Sequence, residues 1–277
     1  MQRRIAAACV WLGACLFPSL DGLSGNDGGD DATTDVTADV SADGAADVGA
    51  DAIVDVVPVP FSCAQVDARF CDDFDDEDAG PFAHWTSSYS GGGAYFARAP
   101  SDASAPTASQ FESFGWKDSS ASPYAILEKD FVAPLTTSAK LSFDLRVDQW
   151  PASASAYFNT GDLAFGANGG GTNLVLRQNA SALQETIPTD AGTQYPSHTL
   201  TMNPLLGVWL HVDEIWTFAP NAVTIEVRFD GKTALAATTL DSRHKYGLPT
   251  MRIGETYVDQ TNDRASFLTD NVVFDFQ

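Results

Sequence analysis

Six carboxylates fall within seven residues at Asp72, Asp73, Asp75, Asp76, Glu77 and Asp78. A hard cation such as calcium takes its six to eight ligands from carboxylate and carbonyl oxygens, so this run is a candidate half-site as well as a solvated turn. Zinc is not expected, because His84, His198, His211 and His244 are scattered without ligand spacing. A serine nucleophile is not signalled either, since no G-x-S-x-G elbow occurs. Ser90-Gly91-Gly92-Gly93 and Gly169-Gly170-Gly171 precede strand-like sequence. Phosphate loops feed helix N-termini, so both glycine runs read as hairpin loops. Asp213 and Glu214 are adjacent and on a strand point to opposite faces, which suits a structural role. Arg146, Arg177, Tyr157 and His211 are the residue types a lyase uses and need no local spacing. Trp85, Trp116, Trp150, Trp209 and Trp216, with Tyr89, Tyr95 and Tyr157, are many large aromatics, which either stack on sugar rings or fill a core. Trp150, just before Pro151, is expected at a strand end near the surface, and with Tyr157 it is the candidate ligand-binding pair.

The elements that carry these residues are strands. Leu141, Phe143, Leu145 and Val147 alternate with polar neighbours, as do Val223, Ile225, Val227 and Phe229, the period of a strand with one buried and one wet face. Asp230-Gly231 then marks a hairpin turn. Further short strands follow between Gly, Pro, Asn and Asp, with no convincing helix, over residues 61–277. Such a chain predicts an all-β fold, one antiparallel two-sheet jelly-roll sandwich. The 37 Asp and Glu against 15 Lys and Arg give a net charge of −22, which excludes a nucleic-acid partner because backbone recognition needs a basic surface.

The N-terminus reads as an address. Residues 1–14 carry Arg3 and Arg4 ahead of an apolar stretch, as an export signal does. Leu12-Gly13-Ala14-Cys15 resembles a bacterial lipobox, so Cys15 is the expected lipidation site and the lipid the expected membrane contact. Leu16 and Phe17 prolong the apolar run, which leaves a plainly secreted protein as the alternative. Residues 15–60 form an acidic low-complexity spacer. Asp31, Asp35, Asp39, Asp43, Asp47, Asp51 and Asp55 recur every four residues, a like-charge stack that disfavours a helix. Cys63 and Cys71 are the only thiols left for the folded part, and in an oxidising compartment they are expected to form a disulfide.

Phe70-Cys71-Asp72-Asp73-Phe74 followed by Trp85, then Gly207-Val208-Trp209-Leu210-His211-Val212, Phe229-Asp230-Gly231 and Asp270-Asn271-Val272-Val273 resemble the laminin-G-like branch of the concanavalin A-like lectin/glucanase superfamily. The resemblance implies that Trp209 is a core residue. It also implies neighbouring first and last strands, which would bring Asp73 and Asp75 to Asp270 and Asn271 as a structural calcium site. Glucanases of this superfamily carry E-x-D-x-x-E on one strand. The match here, Glu128-Lys129-Asp130-Phe131-Val132-Ala133, ends in Ala133, and retaining hydrolysis needs two carboxyls about 5 Å apart. The expected function is therefore non-catalytic binding of a glycan or cell-surface partner by an exported surface lipoprotein. A polysaccharide hydrolase or lyase and a structural module without ligand are the alternatives.

Overall fold

The computed structural model describes residues 61–75, 82–91, 94–100, 105–107, 109–117, 124–153, 156–166, 170–245, 247–255, 257–258 and 263–277. The expected signal, Cys15, the spacer, and Asp76, Glu77 and Asp78 lie outside them.

Among the described residues the strands in chain order are β1 (Phe70–Asp72), β2 (Ser87–Gly91), β3 (Tyr95–Pro100), β4 (Ser109–Lys117), β5 (Tyr124–Asp130), β6 (Ser138–Gln149), β7 (Phe158–Ala164), β8 (Gly171–Leu176), β9 (Ala182–Thr189), β10 (Gly192–Gln194), β11 (Ser197–Thr199), β12 (Trp209–Ala219), β13 (Ala222–Phe229), β14 (Lys232–Leu240), β15 (Thr250–Glu255), β16 (Tyr257–Val258) and β17 (Asp263–Phe276). They form two antiparallel sheets. The eight-stranded sheet runs β14-β13-β12-β6-β17-β4-β3, with β1 also on β17. The nine-stranded sheet runs β10-β9-β8-β7-β15-β5-β2, with β11 on β9 and β16 on β7. This is the two-sheet sandwich that the alternating pattern predicts.

Alternation sets the two faces of each sheet. Leu141, Phe143, Leu145, Trp216, Ile225, Phe267 and Phe274 point inward from one sheet and meet Leu127, Phe158, Leu163, Leu174, Met251 and Ile253 from the other. Each such side chain contributes roughly 1.5–3 kcal/mol by leaving water. Phe158 and Phe267 stack at 4.8 Å between their centroids, joining the sheets at mid-core. Asp230 and Gly231 turn β13 into β14 at φ 50° and 72°, the left-handed pair a two-residue hairpin requires.

The first and last strands do pair, with Cys71 opposite Val273 and Asp72 opposite Val272. Cys63 and Cys71 are joined by a disulfide, which ties the segment ahead of β1 to the sheet. Asp72 is buried and accepts from Trp85 Nε1 at 2.6 Å and Phe74 N at 2.8 Å, fixing the entry of the chain. Two expectations need correction. Ser90 and Gly91 belong to β2 in the nine-stranded sheet while β3 lies in the eight-stranded one, so β2 and β3 are not a hairpin pair; Gly92 and Gly93 lie outside the described residues. Trp209 is not core: it is half-buried on the outer face of β12, with the Arg146 guanidinium 5.3 Å above its ring. The inward positions of β12 are Val212, Glu214, Trp216 and Phe218, and Trp209 has the opposite parity.

Candidate functional site

The outer face of the nine-stranded sheet carries a polar row made by register alone. Ser87 on β2 pairs with Glu128 on β5, Glu128 with Arg252 on β15, and Arg252 with Asp162 on β7. Arg252 Nε donates to Glu128 Oε2 at 2.7 Å and Nη1 to Asp162 Oδ2 at 3.1 Å. The hydroxyls of Tyr89 and Ser87 donate to Glu128 at 3.1 and 3.2 Å. Asp162 reaches the row because β7 is bulged between Thr160 and Leu163. Gly161 makes that bulge possible at φ 57°, where a Cβ would lie 2.8 Å from Glu214 Oε1.

The two carboxyls differ in electrostatics. Burial works to raise Glu128, but hydrogen bonds and charge from Arg252 outweigh it and hold the group below the usual carboxylate range. Burial raises Asp162 despite the same guanidinium. Glu214, on the opposite face of its strand from Asp213 as the spacing predicts, is fully buried in the core with neither oxygen hydrogen-bonded. Desolvation, reinforced by the Asp162 charge, raises it well above the usual range, which favours its neutral form beneath the bulge.

Beside this row, towards β8 and β9, lies a pocket of about 410 Å³ lined by Tyr157, Asn159, Asn173, Gln184, Thr186 and Tyr195. Asn173 and Gln184 are cross-strand partners. The buried Oδ1 atoms of Asn159 and Asn173 accept no hydrogen bond, and an amide oxygen left so costs about 1–3 kcal/mol until a donor arrives. Tyr195 is 59% exposed, while Tyr157 is held under the Arg177 guanidinium at 5.0 Å. Tyr89 and Tyr124 make an edge-on pair, their centroids 5.8 Å apart, at the far end of the face.

Of the expected ligand pair, Tyr157 is in this pocket. Trp150 does follow the end of β6, yet it packs against the core with its ring 5.5 Å from Phe158, so it is no exposed platform. The lyase quartet does not assemble. Tyr157 and Arg177 flank β7 and β8 of the nine-stranded sheet, whereas Arg146 and His211 sit on β6 and β12 of the other, where Arg146 Nε donates to Asp148 at 2.7 Å. The Trp116 side chain is outside what is described, and Trp85 and Trp216 are core.

The expected calcium residues converge only in part. Asp73 and Asp75 do approach Asp270, but the Asp73 carboxylate faces away, accepting from Cys63 N at 3.0 Å and Asp75 N at 3.3 Å. Its carbonyl instead meets the Thr107 hydroxyl at 3.3 Å, and that hydroxyl lies 2.7 Å from Asp270 Oδ2. Asn271 N donates to Asp270 Oδ1 at 2.8 Å. Burial pushes Asp270 up to about 8, with Asp144 and Asp75 adding to the shift and the Thr107 and Asn271 hydrogen bonds opposing it. Electrostatically the position suits a cation. The coordination does not fit, because Thr107 already bridges the two acceptors and, among the described residues, no three His, Cys, Asp or Glu side chains are grouped to hold a metal.

No protein-family model and no curated protein sequence matches the chain. Solved structures do. The chain is similar to a Bacteroides ovatus mixed linkage glucan PUL GH16 in complex with its G4G4G3G product, at TM-score 0.50 and 11% identity, covering 74% of this chain and 99% of that one. It is similar to the family 7 alginate lyase A1-II′ in complex with product, at TM-score 0.43 and 12% identity over 61% and 80% of the two chains. It is also similar to botulinum neurotoxin type C, described as interacting with two ganglioside molecules, at TM-score 0.43 and 11% identity over 66% of this chain. It spans 43% of that toxin chain. At such identities the likeness is one of fold, and the two antiparallel sheets are those of a jelly-roll sandwich.

Proposed function

We propose that residues 61–277 are a non-catalytic glycan-binding sandwich, carried by an exported protein anchored through lipid on Cys15 and spaced from the membrane by residues 15–60. The observation that carries the binding reading is the pocket on the nine-stranded sheet. Its amides, Asn159 buried and Asn173 half-buried, hold two unsatisfied acceptor oxygens beside an exposed tyrosine. Sugar hydroxyls supply donors, and a sugar ring supplies a face for Tyr195. The enzyme alternative draws on Glu128 and Asp162, whose acidities are pushed apart as an acid and base need. Arg252 stands between them and bonds to both, where a scissile bond would have to lie for the carboxyls to flank it.

The deciding experiment is titration of soluble polysaccharides with the wild type, Tyr195→Ala and Asn173→Ala, alongside a reducing-end assay. Binding weakened by both substitutions, with no new reducing ends, is the expected result. Cleavage that disappears in Glu128→Gln would overturn the non-catalytic reading, and undiminished binding in both pocket variants would overturn the assignment of the face. Mass spectrometry of the mature N-terminus tests the anchor: a diacylglyceryl-modified Cys15 is expected, and an unmodified start beyond it would refute lipidation.

A further inference from the structure

One cation beside the pocket on the nine-stranded sheet has no counter-ion. Phe158 pairs with Leu176 and Asn159 with Val175 across β7 and β8, so the next positions along, Tyr157 and Arg177, stand side by side on the outer face. Arg177 is thereby the diagonal neighbour of Asn159, at about 7–8 Å between backbones. It is half-buried, its guanidinium lies 5.0 Å over the Tyr157 ring, and its Nε is buried without an acceptor. Arg252, by contrast, is spent on Glu128 and Asp162. Among the described residues no carboxylate joins Arg177.

The arginine is held at both ends. The Ser181 hydroxyl donates to the Arg177 carbonyl at 3.3 Å and accepts from its N–H at 3.4 Å, and Ser181 N donates to Asn203 Oδ1 at 2.7 Å. The Tyr157 ring supports the head. A ring beneath a guanidinium leaves its in-plane N–H groups to meet an oxyanion. Tyr157 also lines the pocket, and that lining carries no charge. Asp162, the acid of the charged row on the same strand, stands five residues from Tyr157 along β7, about 16 Å away. At physiological ionic strength the Debye length is about 8 Å, so neither Asp162 nor the chain's net charge of −22 cancels a direct contact at Arg177.

We propose that the glycan bound on this face is acidic. A sugar carboxylate or sulfate ester meets the Arg177 guanidinium at the Tyr157 side of the pocket, while hydroxyls of the same chain reach the amides. The inference rests on the glycan-binding reading and names its ligand class. A neutral glycan fills the pocket as well but leaves the guanidinium unmatched.

The test is calorimetric titration of the full chain at physiological salt with polygalacturonate and polymannuronate, each beside its methyl ester, and with a sulfated galactan beside its desulfated form. Esterification and desulfation remove the charge and keep the sugar backbone. At least one acidic form should bind about tenfold more tightly than its neutral partner, the scale of one charge-assisted hydrogen bond, and the pair that shows it tells carboxylate from sulfate. Arg177→Gln should bring the acidic form down to the neutral one and leave the neutral affinity nearly unchanged. Arg177→Lys should keep part of the preference, and Asn173→Ala should weaken both forms alike. Melting of each variant verifies that the fold is kept. Equal binding within every pair, a preference that survives Arg177→Gln, or an equal loss of acidic and neutral binding in Arg177→Gln would each overturn the inference and leave the glycan reading standing. No binding of any acidic form overturns it too, whereas the glycan reading falls only if the neutral polysaccharides fail as well.

Discussion

His211 offers a titration whose sign and size follow from its neighbours. Hydrogen bonds to Asp144 and Asp213 raise it from 6.5 to about 9, against the opposing effect of burial. A raised cationic group binds its proton more tightly in the folded state, so its contribution is complete below pH 6.5, falls as pH rises, and is gone above about 9. Moving the group from 6.5 to about 9 corresponds to roughly 3.4 kcal/mol for an unscreened pair. The side chain is 44% exposed, however, and solvent screens such a pair, so about 1 kcal/mol is the expected size. Asp213 sets the lower limit of the window. Burial works to raise it, but His211, Lys140 and Ser142 outweigh that and hold it well below 3.8, so its contribution is present above pH 3.8 and lost as pH falls below. Urea unfolding of wild type and His211→Gln should therefore differ by about 1 kcal/mol at pH 6 and converge by about pH 10. The His211 ring resonances should titrate near pH 9. A midpoint close to 6.5, or a stability difference equally large at both pH values, would refute the reasoning.

Glu185→Gln should destabilise by about 2 kcal/mol in urea unfolding, because the carboxylate joins His198 at 2.7 Å, His244 at 2.9 Å and Asp241 N at 2.8 Å in a largely buried site; no change would remove its role as a staple. Gly254→Ala should lower the melting temperature or abolish folding, since at φ 101° the new Cβ would stand 2.3 Å from the Ala125 carbonyl oxygen. Replacing Cys63 and Cys71 by serine should cost about 2 kcal/mol, measured by urea unfolding, and thiol labelling of the denatured, unreduced wild type should find neither free. At Asp270, where Thr107 already occupies the acceptors, millimolar calcium and chelator should give the same melting temperature at pH 5.5 and at pH 8.5; a rise in calcium at pH 8.5 that Asp270→Asn abolishes, about 2.7 kcal/mol at a hundredfold excess over the dissociation constant, would refute that reading of the coordination.

The sandwich was legible in the sequence where one face of a strand is purely apolar. β6 and β13 keep strict alternation, and Asp230-Gly231 supplies a turn whose geometry only such residues favour. β9 was not legible, because its inward face runs Leu183, Glu185, Ile187. A charge at a core position reads as a loop until its partners are known, and His198 and His244 come from residues that nothing local ties to Glu185. β2 failed differently: Ser87–Gly91 is polar and half-open, on a sheet edge with β5 as its one neighbour, so it has no buried periodicity to detect. Trp209 was misplaced because the laminin-G-like pattern puts a packing residue at that position, while parity along β12 assigns it to the side of His211.

Site residues were less legible than strands for a related reason. Glu128 could be found as part of an incomplete acidic run, but Arg252 and Asp162, which give it its chemistry, join it only through the registers of β5, β15 and β7. A signal did exist in the polar residues that interrupt apolar alternation: Asn159, Asn173, Gln184 and Arg252 all sit at outward positions between inward Phe158, Leu174, Leu183 and Met251. Both sheets expose polar groups, so polarity by itself does not choose a binding face. Satisfaction distinguishes them. On the eight-stranded sheet His211, Asp144, Asp213, Ser142 and Lys140 largely consume one another's hydrogen-bonding capacity, leaving Asn271 Oδ1 and Asp275 as the open groups. On the nine-stranded sheet the charged row is closed by Arg252, while the amides beside it keep two acceptors unmet next to an exposed ring. A ligand for that face would bring donors to Asn159 and Asn173 and a flat ring to Tyr195, which is what the proposed glycan reading asks of it.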